Sequence, residues 1–149
     1  MTNASRQSAQ ARSAARRLLV QALYQRLVGG QDWRELHGQY STDPNFPRAD
    51  AAYFRLALEA VCNGAESLDE ELRRHSDIEP SRLDPVEHAI LQLGLWELMS
   101  QSDVPYKVVI NEAVELAKRF GATDGHRYVN AVLDKSSRAL RASERGAVA

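Results

Sequence analysis

The chain has 149 residues, 44% of them hydrophobic and 26% charged, a balance typical of one soluble globular domain that is long enough to bury a core. Its formal net charge of -1 does not point to nucleic-acid binding, because such domains are often strongly basic, so any such site has to be a local patch. The single cysteine excludes an intramolecular disulfide, and there is neither an apolar run of about 18 residues to span a bilayer nor a signal-like segment at the start. We therefore expect a cytoplasmic protein without membrane association.

The first element in chain order is a long helix from about Ala11 to the pair Gly29 and Gly30, where the glycines predict a stop. Residues 1–10 are rich in Ser, Gln, Ala and Asn and are expected to form a flexible tail. Apolar residues recur at three- and four-residue steps along the helix, so one of its faces is expected to pack on a core.

Arginines are concentrated at the start of this helix, before the first acidic residue of the chain, Asp32. Arg12 and Arg16 share the stripe of the apolar residues, so we expect the helix to project beyond the core and to carry them with it. Arg17 and Tyr24 share a different, outward face. A solvated charged face is one interpretation. Against it, no acidic side chain lies one helical turn away to neutralise the arginines, and arginine binds phosphate and stacks on bases.

The middle of the chain is predicted to form two more helices around a loop. A short helix follows Asp32, which has capping-box spacing with Glu35, and a proline-containing loop follows at residues 41–50. The next helix begins at about Ala51, and Gly64 is expected to bend or divide it.

A well-marked helix start follows the connection at residues 78–83. Asp84, Pro85 and Glu87 supply a cap, a proline at the first position and an acidic third position. Apolar residues then cover more than one face of this helix, so we expect it to be the most buried of the chain.

The last two predicted helices are joined by a short turn. Asp103 is expected to cap the first of them, and Gly121 is expected to end it in the left-handed conformation. Thr123 or Asp124 then caps the second. Because no period-two pattern of strands is found elsewhere, the whole chain is predicted to be all-α, with about six or seven helices.

The turn between these two helices carries residues suited to bind an anion. Arg127 and Tyr128 lie in the first turn of the last helix, where backbone N–H groups and the helix dipole favour negative charge. An arginine can hold a phosphate and a tyrosine can stack on a base, so the surface is suited to holding a phosphate backbone and stacking a base. A helix-end cation next to a half-buried core aromatic is the alternative interpretation.

No catalytic or metal site is indicated by the sequence. The four histidines are dispersed without metal-ligand spacing, and there is no glycine-rich phosphate loop. Cys62 is interpreted as a small core residue, and Asp84 and His88, four residues apart, as a common helix-surface pair. We therefore predict no enzymatic activity and no bound metal or cofactor.

Five runs of the sequence together resemble the NusB family of bacterial transcription antitermination factors: RRLLVQALYQ, AAYFRLALEAV, LDPVEHAILQLGLWEL, SDVPYKVVINEAVELAKRFG and HRYVNAVLDK. The resemblance covers almost the whole domain and implies an all-helical fold of two packed three-helix bundles. For this chain it implies one domain at residues 11–141, with subdomains of roughly 11–80 and 81–141, followed by a flexible tail at residues 142–149.

The same resemblance implies a function without catalysis. Members of the family bind the boxA element of ribosomal RNA leader transcripts as a heterodimer with NusE, which is also a small-subunit ribosomal protein. That complex joins NusA and NusG on RNA polymerase, so that transcription of ribosomal RNA operons resists termination.

Site residues are implied by the resemblance position by position. The family's arginine-rich helix start, its aromatic near the end of that helix and its basic and aromatic pair on the late helix all have counterparts in this chain. The corresponding RNA-binding positions are Arg12, Arg16, Arg17, Tyr24, Asp124, Arg127 and Tyr128, and the NusE-facing positions are Tyr24 and Glu87.

A different class of function competes with this expectation. The chain can instead be an RNA-independent protein-interaction module or a homodimer, because symmetric self-association commonly reuses one patch and would bury the arginine surface. The oligomeric state and the RNA affinity with and without NusE distinguish the two.

Overall fold

The computed structural model describes residues 2–146, and within this range the chain forms seven α-helices, two short 3-10 turns and no strand. The predicted all-α class is confirmed. None of the helices in this range combines the length and the apolar composition needed to cross a membrane. The helices are α1 (Asn3–Gly29), α2 (Trp33–Tyr40), α3 (Ala51–Asn63), α4 (Ala65–His75), α5 (Pro85–Ser100), α6 (Tyr106–Phe120) and α7 (Gly125–Leu140), and the 3-10 turns are Phe46–Arg48 and Pro80–Arg82.

The chain divides into two compact units between Asn63 and Gly64. The first unit contains α1 to α3 and the second contains α4 to α7, so the helices are distributed three and four. This division falls before the boundary near residue 80 that the family resemblance implies. Gly64 lies between α3 and α4, so the break expected in the middle helix is confirmed.

Helix α1 begins at Asn3, well before the predicted start near Ala11. The Thr2 hydroxyl accepts a hydrogen bond from the Ser5 N–H at 3.1 Å, which satisfies one of the donors that a helix start leaves unpaired. Residues 3–10, part of the segment expected to be a flexible tail, are helical and exposed, while residue 1 lies outside the described range. The predicted stop is confirmed, because Gly30 adopts a left-handed conformation with φ 76°.

The core of the first unit is organised around Phe54 of α3, whose side chain is fully buried. The rings of His37, Tyr40 and Phe46 lie with their centroids 6.1, 6.2 and 5.6 Å from its own. Asp32 stands at the cap position of α2 without a side-chain cap hydrogen bond, so the predicted capping box is not formed.

Helix α5 is the most buried helix of the second unit, as predicted, with every residue from Glu87 to Leu98 inaccessible to solvent or nearly so. Its predicted cap is confirmed, because Asp84 Oδ1 accepts from the N–H groups of Val86 at 2.9 Å and Glu87 at 3.3 Å. His88 does not pair with Asp84 as a surface pair would. It lies 2.7 Å from Asp69 of α4, which fixes α4 against α5.

Two predictions at the ends of α6 are wrong. The helix begins at Tyr106, and the Tyr106 N–H is accepted at 2.8 Å by the Glu144 carboxylate, so Asp103 does not cap it. Gly121 has an extended backbone with φ -90° and ψ 179°, and the left-handed residue of the turn is Asp124, with φ 68°. Asp124 stands at the cap position of α7, one of the two residues predicted for it, without a side-chain cap hydrogen bond.

The segment that follows α7, predicted to be a flexible tail over residues 142–149, makes contacts with α7 in its described part. The Arg145 guanidinium donates to Asp134 at 3.0 Å and to Ser137 at 2.7 Å. Residues 147–149 lie outside the described range. The Arg141 guanidinium is buried and donates to four main-chain carbonyls, those of Glu97, Leu98, Gln101 and Val104.

Candidate nucleic-acid interface

In the first unit, Arg12 lies on α1 where the start of α3 packs against it. Its guanidinium carbon stands 4.3 Å from the centroid of the Tyr53 ring, and its Nη2 lies 3.8 Å from Asp50 Oδ2. The Arg12 side chain is 33% exposed and that of Asp50 31%. The arginine is therefore at the surface, but an aromatic ring and a carboxylate hold it.

Arg16 is placed differently from its prediction. Its exposed fraction is 2%, so the expectation that it projects beyond the core is wrong. The physical reason is its neighbour on α3, because the Arg16 guanidinium carbon lies 5.6 Å from the Tyr53 ring centroid. The structure thus brings Arg12 and Arg16 together around one tyrosine, with Arg12 at the surface and Arg16 in the core.

Arg17 and Tyr24 are the residues of α1 that were predicted to share an outward face. Arg17 is half-buried, and its carbonyl accepts a hydrogen bond from the Gln21 side-chain amide at 3.1 Å. Tyr24 is 41% exposed. An exposed phenol on a helix surface has a ring face available to a base or a protein partner.

In the second unit, Asp124 and Arg127 form the turn that begins α7. Arg127 Nε lies 3.6 Å from Asp124 Oδ1, and the two side chains are 78% and 66% exposed. Solvent screens a pair this exposed and leaves its net contribution to stability small. The arginine is consequently available to an incoming phosphate.

Tyr128, one residue further along α7, is half-buried. Its hydroxyl forms a short hydrogen bond with the Ser76 hydroxyl at the C-terminal end of α4. The ring is thereby anchored at its polar end to a second helix. This position agrees with both interpretations of Tyr128 in part, because the residue packs in the unit and still retains exposed surface.

Glu87 is buried on α5, close to the first residue of α7. A Cβ atom added to Gly125 would lie 1.7 Å from Glu87 Oε1, so only glycine fits there without moving the carboxylate. Burial raises the pKa of Glu87 above its ordinary value, and the nearby charge of Asp84 raises the pKa further. The carboxyl group of Glu87 is therefore easier to protonate than a free one.

Two further titratable groups, Asp69 and Cys62, have pKa values that their positions in the helix packing explain. Burial raises the pKa of Asp69, but hydrogen bonds from His88 and Gln92 and the charges of His88 and Arg73 together bring that pKa below its ordinary value. Burial also raises the pKa of the Cys62 thiol, to about 11, as suits a core cysteine. Across residues 2–146, no cluster of three or more His, Cys, Asp or Glu side chains is arranged to hold a metal ion.

Asp50 and Tyr53, which contact Arg12 in the first unit, were not identified by the sequence analysis. A signal for Asp50 was present, since it directly precedes the predicted helix start at Ala51, where an aspartate commonly caps. Its side chain indeed accepts the Tyr53 N–H at 3.0 Å. The contact of Tyr53 with α1 had no sequence signal, because it depends on how α1 and α3 pack.

Comparison with known proteins gives consistent results. The family model described as the NusB family matches residues 13–138. The transcription antitermination protein NusB of Pseudomonas putida (strain W619) is 48% identical over 133 residues, which is 89% of this chain and 80% of that relative.

Two solved structures have a similar fold. A crystal structure of the antitermination factors NusB and NusE in complex with dsRNA has a TM-score of 0.77 and 26% identity, covering 85% of this chain and 96% of the matched chain. NusB of T. maritima has a TM-score of 0.70 and covers 84% of this chain and 90% of its own, and at 24% identity it supports the fold alone. The family match over most of the sequence and the close relative together show that this chain belongs to the NusB family of transcription antitermination proteins.

Proposed function

We propose that this protein is an RNA-binding transcription antitermination factor that acts with NusE on the boxA element of ribosomal RNA leader transcripts. The observation that carries the proposal is the similarity of its fold to the NusB chain of a NusB and NusE complex with RNA. Its assembly with NusA and NusG on RNA polymerase and its cytoplasmic location stay predictions of the family resemblance.

The RNA-binding residues are proposed from exposure and charge. Arg12, Arg17 and Tyr24 on the first unit, and Arg127 with Tyr128 on the second, have side-chain surface that RNA can reach. Arginine binds phosphate through a planar fork, and the tyrosine rings can stack on unpaired bases. Arg16 is left out of this set as a direct contact because its side chain is buried.

Asp124 and Glu87 have supporting roles in this proposal. Asp124 sets the turn that begins α7 and places its carboxylate beside Arg127. Tyr24 is proposed to contact NusE through its exposed ring, whereas Glu87 is buried against the start of α7 and is proposed to support that turn rather than to touch NusE. No part of the proposal needs a catalytic group, and we propose that the protein has no enzymatic activity.

A second candidate function is an RNA-independent interaction module, either a homodimer or an adaptor between proteins. The burial of Arg16 and the position of Arg12 next to the Asp50 carboxylate favour this function. Fewer uncompensated cations are then present than the sequence suggests. Sedimentation at several concentrations measures whether the protein forms a homodimer.

The deciding experiment is a titration of labelled boxA-type RNA, followed by fluorescence anisotropy, with and without NusE. Single-stranded RNA and a duplex of the same sequence are compared, because stacking on tyrosines favours unpaired bases. A scrambled RNA is the control for sequence. We expect boxA-type RNA to bind more tightly than the scrambled RNA when NusE is present. Undetectable binding of both RNAs under that condition would contradict the proposal and support the RNA-independent module, whereas equal binding of both would contradict the preference for boxA.

A further inference from the structure

Tyr53, near the start of α3, packs against two arginines of α1. The guanidinium carbons of Arg12 and Arg16 are 4.3 and 5.6 Å from its ring centroid. At these distances a guanidinium is attracted to the electron-rich face of an aromatic ring. The ring itself is buried, so its position is set by the packing of α3.

Asp50 is fixed at the same place by three contacts. Its N–H donates to the Ala11 carbonyl at 2.9 Å, and its Oδ1 accepts the Tyr53 N–H at 3.0 Å. Its Oδ2 lies 3.8 Å from Arg12 Nη2, which is longer than a hydrogen bond. The carboxylate is therefore rigidly held beside Arg12 as a counter-ion, without a direct hydrogen bond from that nitrogen.

The Arg12 side chain is 33% exposed, so part of it remains accessible to a ligand. Stacking uses the flat face of the guanidinium, whereas phosphate is bound through N–H groups at its edge. A side chain already held in one orientation loses less conformational freedom on binding than one that is free in solvent. Arg12 is thus oriented before a phosphate binds, and the Asp50 carboxylate competes with that phosphate for the guanidinium.

We propose that Tyr53 and Asp50 are positioning residues for Arg12 in RNA binding. Tyr53 holds the guanidinium over its ring at the surface of the first unit, and Asp50 neutralises it until an RNA phosphate displaces the carboxylate. This inference rests on the proposed RNA-binding function and adds two residues that lie outside the site implied by the family resemblance.

The two residues are expected to act in opposite directions. Tyr53→Leu removes the aromatic face and should weaken RNA binding about two- to five-fold, whereas Tyr53→Phe keeps the face and should weaken binding less. Asp50→Asn removes the competing charge but keeps an oxygen to accept the Tyr53 N–H, so it should tighten binding about two-fold. A purely structural role would weaken binding in both variants.

The test is a double-mutant cycle on the full chain with NusE and labelled boxA-type RNA. Tyr53→Leu and Asp50→Asn are each measured alone and together with Arg12→Ala. We expect both effects to disappear when Arg12 is alanine. Equal effects of Tyr53→Leu in the two backgrounds, or weaker binding by Asp50→Asn, would overturn the inference.

Arg12→Lys supplies a second measurement that does not disturb the core, which matters if Tyr53→Leu fails to fold. It keeps the charge but lacks the planar face, so we expect about two- to five-fold weaker binding with an unchanged salt dependence. Affinity equal to that of the unsubstituted protein would contradict the stacking role.

The failures of the two proposals can be told apart. If the unsubstituted protein binds no RNA, the proposed function is wrong. If Arg12→Ala weakens binding while Tyr53→Leu does not, only the positioning inference is wrong.

Discussion

Arg12 and Arg127 are both paired with an aspartate at nearly the same distance, 3.8 and 3.6 Å, yet their surroundings differ. Arg12 stacks on a buried tyrosine and faces a carboxylate that is held by the backbone. Arg127 and its partner are largely in solvent. Equal distances therefore do not mean that the two arginines bind a phosphate equally easily. Arg127 has a solvent-screened charge that a phosphate can approach directly, whereas Arg12 is already oriented but has to release the Asp50 carboxylate before it binds a phosphate.

Replacing an arginine of the first unit by alanine should lower the free energy of unfolding more when that arginine is buried. Arg16→Ala is expected to lower the free energy of unfolding by about 2 kcal/mol or more, because it removes a buried side chain and its packing. Arg12→Ala should cost less than about 1 kcal/mol, since its ion pair is partly solvated. Urea unfolding measures both, with half-buried Arg17→Ala as the control. Equal losses for the Arg12 and Arg16 variants would contradict the difference in burial.

The left-handed backbone of Asp124 in the turn before α7 should have a measurable effect on the stability of the protein. A left-handed residue with a Cβ is strained, so Asp124→Gly should be more stable than Asp124→Ala by about 1 kcal/mol. Both variants lose the carboxylate near Arg127, which makes them a matched pair for RNA binding. Thermal unfolding gives the comparison, and an alanine variant as stable as the glycine variant would show that the left-handed conformation is not maintained in solution.

Salt dependence should separate the two arginines most directly. Arg127→Ala is expected to reduce the slope of log affinity against log salt by about 0.7 to 0.9, the value for one phosphate contact. Arg12→Ala should reduce it by less, because Asp50 already neutralises part of the Arg12 charge. Anisotropy titrations at several salt concentrations give both slopes, with Lys135→Ala, an exposed residue of α7 outside the predicted site, as the control. A larger reduction for Arg12 would reverse the comparison.

The smallest expected effect concerns pH and Glu87. Because the pKa of this buried carboxyl is raised in the folded state, the group costs stability when ionised, and that cost disappears as the pH falls below its ordinary pKa of 4.5. Glu87→Gln should therefore raise the melting temperature at pH 7 and have little effect near pH 4. A gain of the same size at both pH values would mean that packing, not ionisation, explains it. Glu97 is less suitable as a comparison because it has partners of its own.

The sequence was informative where local rules decide the structure. The cap at Asp84, the stop at Gly30 and the break at Gly64 follow from residue type and spacing, and the structure has each of them. The burial of α5 was likewise predictable, because apolar residues occupy more than one face of that helix. These features need no knowledge of which helices are neighbours.

Contacts between distant parts of the chain were not predictable in the same way. Arg16 was expected outside the core because a charge on an apolar stripe is costly to bury, and nothing in its own helix reveals that Tyr53 covers it. Asp103 was a reasonable cap by spacing, but Glu144 binds the Tyr106 N–H instead. In both cases the partner is tens of residues away, so a rule limited to one helical turn does not find it.

The guanidinium of Arg141 has a consequence for the order in which the chain can fold during synthesis. The carbonyls that it binds belong to the end of α5 and the turn that follows, so they are made by the ribosome about forty residues before their partner. The first unit contains no residue beyond Asn63 and can form while the rest is still being translated. The second unit, by contrast, can form these four hydrogen bonds only after Arg141 has left the ribosome.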